Sequence, residues 1–399
     1  MPGPFQGLKV VDLTTVVVGP YTTQLLADMG ADVTKVEAPE GDMTRMGTPH
    51  RNAGMGNMFL QLNRNKRAIS LDLKSEAGAE AMRKLIQGAD IFIHNMRPEP
   101  LARLGFDYAS VRDLNPSLVY CNIWGFGREG RYAGRAAFDD VIQGTSGLVA
   151  LEAHNGREAR FVPMLIADKT TALFAAYAIS AAAYHKLATG EGQEVEVPMF
   201  ESMTSFTMIE HLAGNTFDPS LGPSGSERHA TPLRWPFQTK DGHVCILPSS
   251  DKHWAAVLKI IGREDLLSDP RFKDRAARLA HRGELTQMLS DLAATKTTKE
   301  WVDALAEAGV PGMHINSLEE VVSDPHLADV GFWVETDHPT EGRIRIMRPP
   351  YTLSKTPPDI RTHAPSFGQH TAEVLTELGY SEAQIAAMLE AGAAMGVKS

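Results

Sequence analysis

A lone acid interrupts the most apolar helical pattern of the chain. Asp168 stands between Met164–Ala167 and Thr170–Ala172 in the segment Arg160–Phe174, whose helical pattern runs on to about Lys186. A carboxylate so placed has two readings. It can cap the helix, because Asp is a favoured N-cap residue and negative charge suits a helix start. It can also act as a nucleophile towards an activated acyl group. Such a carboxylate is expected to be ionised at neutral pH, so it needs positioning and partial desolvation more than a base. Other nucleophile signatures are missing from the sequence. There is no Gly-x-Ser-x-Gly elbow and no GxxxxGK[ST] phosphate loop, and neither Cys121 nor Cys245 stands beside an activating group.

The elements that must position Asp168 begin with Gly7–Thr14, a buried-strand pattern. Gly19-Pro20 follows, then a helix expected from about Tyr21 to Met29, a stop at Gly30 and a strand over Asp32–Val36. This is a βαβ unit and implies a parallel α/β sheet. Glu37 stands where a dinucleotide-binding acid would, but only one glycine precedes the helix, so a nicotinamide cofactor is not indicated. Arg64, Lys66, Arg67 and Lys74 flank a strand over Ala68–Leu73 and read as a solvated basic surface. A helix (Ser75–Gln87) and a strand (Asp90–His94) lead to the loop Asn95–Pro100, at a strand's carboxyl end, where open α/β sheets bind ligands. After the strand Ser117–Ile123, Gly125–Gly130 matches GxGxxG but lacks the helix and acid that the motif needs, so it reads as a flexible glycine loop. A helix over Asp139–Leu148, a polar turn at Glu152–Arg157 and the Asp168 helix follow. Beyond them come a strand at Glu194–Val197 and a helix from Pro198 to about Leu212.

Composition changes after Ala213. Residues 215–227 are rich in Gly, Ser and Pro and read as a linker. Trp235–Leu247 has the pattern of a hairpin turning at Asp241-Gly242, and helices are expected over Lys252–Ile261, Arg278–Ala293 and Lys299–Ala308, a small α+β domain. A return segment from about Glu319 crosses a proline-rich stretch, Arg348–Pro358, to a last helix, Thr371–Leu378. The chain has 399 residues and a formal net charge of −10, which disfavours a nucleic-acid partner. The two cysteines, each in an apolar run, read as buried thiols of a reducing compartment. No leader or membrane-length apolar run is present, so a cytoplasmic protein is expected. The 14 histidines show no metal-ligand spacing, and no metal is expected.

Several of these segments together resemble the class III CoA transferases, the family of formyl-CoA transferase. They are Gly7–Thr14 with Gly19-Pro20, Ala31–Glu37 with Gly41-Asp42, Asn65–Lys74, Gly190–Val195, Asp269–Phe272 and Pro365–Leu375. The resemblance covers nearly the whole chain. It implies a Rossmann-like parallel-sheet large domain built from both chain ends (1–214 and 327–399). A small α+β domain (228–318) is inserted through linkers at 215–227 and 319–326, and the two chains of a homodimer interlock. It also implies that Asp168 is the catalytic aspartate of a CoA transferase that carries CoA as an aspartyl thioester. The substrates would be an acyl-CoA and a carboxylic acid, with no prosthetic group.

The same resemblance places CoA contacts at Val16, Leu71, Lys74, Asn95, Met96, Arg103 and Met199. Thr15 and Val17 stand where the formyl and oxalyl enzymes carry larger polar groups. The glycine-run loop of those enzymes has no counterpart, and Leu247–Ser250 stands near that region. Arg228–Gly242 looks more like members handling C4–C5 dicarboxylic or branched acids, with succinyl-CoA as a candidate donor. An α-methylacyl-CoA racemase of the same fold is the alternative. It needs a His where Ala137-Phe138-Asp139 has Phe138, and Phe carries no proton. A non-catalytic CoA-binding protein is the remaining class, disfavoured by Asp168.

Overall fold

In the computed structural model, which describes residues 3–154, 158–226 and 235–397, the first apolar run forms strand β1 (Lys9–Leu13), buried over its last four residues. Helix α1 (Val18–Asp28) starts three residues before the expected Tyr21. Pro20 is the reason it can: in the first turn the missing N–H has no helical partner to lose. Gly19 is required there, because a Cβ on it would lie 2.1 Å from Thr14 Cβ.

The elements continue with β2 (Asp32–Glu37), β3 (Lys66–Leu71) and α2 (Glu76–Gln87), whose first turn is capped by the Ser75 hydroxyl accepting from the Gly78 N–H. Then come β4 (Ile91–His94), α3 (Pro98–Arg103), β5 (Val119–Trp124), α4 (Asp139–Thr145), α5 (Ile166–Thr189), β6 (Gln193–Pro198) and α6 (Met199–His211). The six strands are parallel in the order β3-β2-β1-β4-β5-β6, and a short strand, Ala394–Met395, closes the β3 edge antiparallel. The winding reverses between β1 and β4, which stay paired to Leu13 and His94, so the segments that follow their carboxyl ends part into a crevice.

Alternation along each strand feeds two apolar layers. Val11, Leu13, Phe92 and Tyr120 pack under α2 with Met82, Ile86 and, from the carboxyl end, Leu375 and Met388. Val10, Ile91, Ile93, Val119 and Cys121 face α1 and α5. On α5 the buried residues Ala172, Ala175, Ile179 and Ala182 follow helical spacing, and their small side chains let the helix lie close to its neighbours.

The chain divides into two compact units, Met1–Ala153, Glu158–Ser224 and Val330–Ser399 in one, His154–Arg157 and Gly225–Asp329 in the other. In the second, the antiparallel strands Phe237–Gln238, His243–Ile246 and Gly312–His314 pack on helices around the fully buried Trp301. His243–Ile246 alternates, so Val244 and Ile246 are buried while Cys245 is exposed; only Cys121 is the buried thiol expected of both. The helix expected over Arg278–Ala293 is two, Arg275–Ala280 and Arg282–Ala293. That expected over Asp139–Leu148 ends at Thr145, and a helix over Leu148–His154 follows Gly147, which has φ +86°. The hairpin Trp333–His338 with Gly342–Met347 and the helix Glu382–Glu390 were not expected from the sequence. Among the described residues no helix is long and apolar enough to cross a membrane.

Gly19→Ala should destabilise the first unit by roughly 2–3 kcal/mol, since overpacking here meets the turn that closes β1. The measurement is a urea midpoint that falls at constant m; an unchanged midpoint would contradict this geometry.

Candidate active site

The crevice at the β1–β4 reversal is tied across by one side chain. Asn95, just past β4, accepts from the Thr15 N–H at 3.0 Å and donates to the Thr15 carbonyl at 2.9 Å. The next residue, Val16, has φ +71°, a conformation that costs a β-branched residue of order 1–3 kcal/mol.

Asp168 comes to the same place from α5. It is the third helical residue, and the N-cap position belongs to Leu165, so the capping reading is wrong. Asp168 is only 7 % exposed. Its own N–H is held by Asp139 Oδ1 at 2.9 Å, from the first residue of α4. Asp139 is fixed in turn by Gln143, whose Nε2 donates to Asp139 Oδ2 at 2.6 Å and whose Oε1 accepts from the Val162 N–H at 2.9 Å. The strap leading into α5 is thereby pinned to α4. Burial, followed by the neighbouring Asp139 charge, pushes the Asp168 carboxyl up from 3.8 to about 7. The group is therefore not fully ionised at neutral pH, contrary to the expectation from its chemistry alone.

A cleft of about 600 Å³ opens beside it. Of the residues expected to form the site, Asp168, Val16, Asn95 and Met199 line this cleft together; Leu71, Lys74, Met96 and Arg103 do not. The Leu71 side chain is fully buried in the apolar layer under α2. Lys74 is exposed two residues after Asp72, Met96 is half-buried with its carbonyl held by Trp124 Nε1 at 3.1 Å, and Arg103 is exposed in the last turn of α3. The cleft adds Met43, Arg97, Trp124, Arg128 and Arg135, which were not singled out as site residues, and Phe138, named only as the position of a racemase His. Arg97 was legible in principle, as the cation in a loop at a strand's carboxyl end; Met43 and Arg135 carried no local signal.

Contacts correct two other readings, those of the basic cluster and of the glycine loop. Arg64 and Lys66 are buried, on Asp28 at 2.7 Å and Asp12 at 3.2 Å, and the half-buried Arg67 bonds Glu377 at 2.7 Å, so of the four only Lys74 is the solvated charge expected of them all. Glu37 makes a two-pronged pair with Arg45 at 2.7 Å, a structural role with no free face for a ribose. The Gly125–Gly130 loop is pinned rather than flexible: Glu201 accepts from the Gly127 N–H at 3.0 Å, and Glu196 from the Arg128 N–H at 2.8 Å. Leu247–Ser250 belongs to the second unit, where the Ser250 hydroxyl caps the helix Asp251–Ile260. Of the stretch Arg228–Gly242, residues 228–234 lie outside the described residues.

An open parallel sheet with a ligand-sized crevice at its reversal point, holding one buried and strongly perturbed carboxyl, defines an α/β enzyme of the acidic-nucleophile or acid–base kind. The chain belongs to CoA-transferase family III, whose model matches residues 5–371. It is similar to a succinate–glutarate CoA-transferase of Agrobacterium fabrum, 32 % identical with 94 % of this chain and 96 % of the relative covered. It also resembles a succinyl-CoA:mesaconate CoA-transferase of Haloarcula hispanica, 33 % identical over 94 % of this chain and 97 % of that one. Among solved structures, a CAIB/BAIF family protein from Brucella suis superimposes with a TM-score of 0.82 at 32 % identity, covering 95 % of this chain and 100 % of that one.

The raised carboxyl predicts a pH-dependent stability. A folded-state value above the unfolded one means that stability from this group is complete below about pH 4 and is lost as pH rises through about 7. Asp168→Asn does not ionise, so it should raise the thermal midpoint at pH 8 by roughly 3 °C or more and leave it unchanged near pH 3. A second variant tests the cause. Asp139→Asn keeps the acceptor for the Asp168 N–H but removes the like charge, and should lower the Asp168 titration, followed by carboxyl NMR, by roughly half to one unit.

Proposed function

We propose that this protein moves CoA from an acyl-CoA, with succinyl-CoA as the leading donor, to a C4–C5 dicarboxylic or similar acid through a covalent intermediate on Asp168. The observation that carries the reading is the Asp168 carboxyl, buried in the cleft wall with its backbone fixed by Asp139. The names of the relatives support the substrate class. Desolvation strips the carboxylate of hydration, and its raised basicity makes the ionised form a stronger nucleophile.

The carboxylate oxygen attacks the thioester carbonyl, the C–S bond breaks, and the products are a mixed anhydride and CoA thiolate. The thiolate then attacks the aspartyl carbonyl and releases the donor acid, leaving an aspartyl-CoA thioester. The acceptor carboxylate attacks that thioester and expels the thiolate again. Finally the thiolate attacks the acceptor's carbonyl in the new anhydride, forming the product thioester and freeing Asp168. No net proton is consumed. Only a carboxylate serves as nucleophile, since an ester on Ser would not hand CoA to the protein.

Val16 and Met199 contact the reactive arm in this reading, and Asn95, with Met96, lines the adenine pocket. Leu71 (through its backbone), Lys74, Met96 and Arg103 would serve the nucleotide end, with cations suiting its phosphates. The large domain is the Rossmann-like unit of both chain ends, and the working form is an interlocked cytoplasmic homodimer. Exposed Leu173, Tyr177, Tyr184 and Leu187 along α5 support a covered face there. Phe138 lines the cleft without a transferable proton, which weighs against racemisation.

Two measurements test the proposal. With succinyl-CoA and a panel of acids, mass spectrometry should show CoA exchange, and Asp168→Ala should reduce it by at least roughly 10³-fold. Transfer by that variant at the native rate would refute the covalent route. Because attack needs the ionised form, kcat/KM should rise with pH through about 7.

A further inference from the structure

The turn between β1 and α1 is held to an unusual degree by side chains from elsewhere. The Thr14 N–H bonds Asp12 Oδ1 at 3.0 Å, and the Thr14 carbonyl accepts from Lys35 Nζ at 2.8 Å. Both polar groups of Thr15 are taken by Asn95. The Val16 N–H points to Asp42 Oδ1 at 3.4 Å. Five consecutive main-chain groups are thus claimed by four side chains.

Behind the turn these side chains form a dry charge cluster. Lys35 and Asp42, both with side chains at 0 % exposure, pair at 3.0 Å, and Lys66 and Asp12, also at 0 %, pair at 3.2 Å. Asp42 is oriented by the Thr44 N–H at 2.9 Å and the Thr44 hydroxyl at 2.7 Å, and its own N–H is held by Glu37. Burial alone would raise the Asp42 carboxyl; the Lys35 charge and the Thr44 donors hold it below its ordinary value. A buried pair of this kind is an expensive way to gain stability, and well-packed apolar side chains often do as well. What it supplies is direction. Val16 favours negative φ, so without fixed donors and acceptors on either side the turn would relax away from φ +71°. Val16 and Val17 share the cleft wall with Asp168.

We propose that Lys35 and Asp42 are positioning residues for CoA transfer, holding the Thr14–Val16 turn in its strained form so that the thioester lies in register with the Asp168 carboxylate. They touch no substrate and act through Val16. The inference rests on the transferase reading above. A misplacement of about 1 Å at a reacting centre costs roughly 10²-fold in rate, so the effect falls on kcat more than on acyl-CoA binding.

The test measures steady-state kinetics per folded molecule for Lys35→Met and for the isosteric Asp42→Asn, each alone and combined with Val16→Gly. Each single variant should lose roughly 10²-fold in kcat with KM for acyl-CoA within about threefold. Gly accepts φ +71° without penalty, so adding Val16→Gly should return at least about threefold of the lost kcat. A purely structural role would lower the thermal midpoint, leave kcat per folded molecule intact, and show no recovery with glycine. If Lys35→Met does not fold, Asp42→Asn alone carries the comparison, since its shape is preserved. Wild-type protein that transfers no CoA overturns the transferase reading and this inference with it. Wild-type transfer with Asp42→Asn within twofold in kcat, or no recovery on adding Val16→Gly, overturns this inference alone.

Discussion

The site depends on keeping two neighbouring carboxyls, Asp168 and Asp139, inside the protein with no ion pair to either among the described residues. Asp12, Asp28, Glu37 and Asp42 are also buried, and each holds a cation: Lys66, Arg64, Arg45 and Lys35. Asp168 instead faces another acid, Asp139, and the only hydrogen bond between the two residues is to the Asp168 main chain. Isolated charge is costly to bury, and a carboxyl in that position answers by taking up a proton near neutrality. The remaining architecture supplies what offsets that cost. The small residues of α5 bring it close against α1 and the sheet, and the Asp139–Gln143–Val162 chain prevents the helix start from swinging out to water.

Two electrostatic designs therefore share one crevice. On the β1 side, charges are paired, dry and used to fix backbone. On the α5 side, like charges are set together and used to raise a pKa. The first gives a wall whose main chain is held by side chains, and the second gives a reactive group. The β1–β4 ladder joins the two halves of the sheet where the winding reverses, and just beyond it Asn95 ties the loop after β4 to Thr15 after β1.

Local pattern carried much of this into the sequence. The β1–α1–β2 unit, the extent of α5 and the loop after β4 all follow from apolar spacing and turn residues, and Asp168 was visible as a lone acid in an apolar helix. What was not legible depends on partners far away in the chain. Arg64 and Lys66 look like surface charges until Asp28 and Asp12 fold against them. Asp139 carried no sign of its position beside a residue 29 places on. The strand Ala394–Met395 is too short for any periodicity, and it exists because β3 offers an open edge. The glycine loop at Gly125 looks mobile in sequence, and its anchors Glu196 and Glu201 lie some seventy residues away.

The helix start shows which effect wins. An acid in the first turn gains roughly 0.3–1 kcal/mol from the macrodipole, and that favours the ionised form. Taken alone, it would hold Asp168 at or below its ordinary value. The carboxyl instead lies near 7, so burial and the Asp139 charge together outweigh the dipole. Position along a helix is thus a poor guide to the state of an acid once the turn is buried. The dipole opposes the proton by less than about one pKa unit, and burial with the Asp139 charge leaves the carboxyl poised close to neutral pH. A group in that state can be ionised for attack and is still basic enough to be a strong nucleophile when it is.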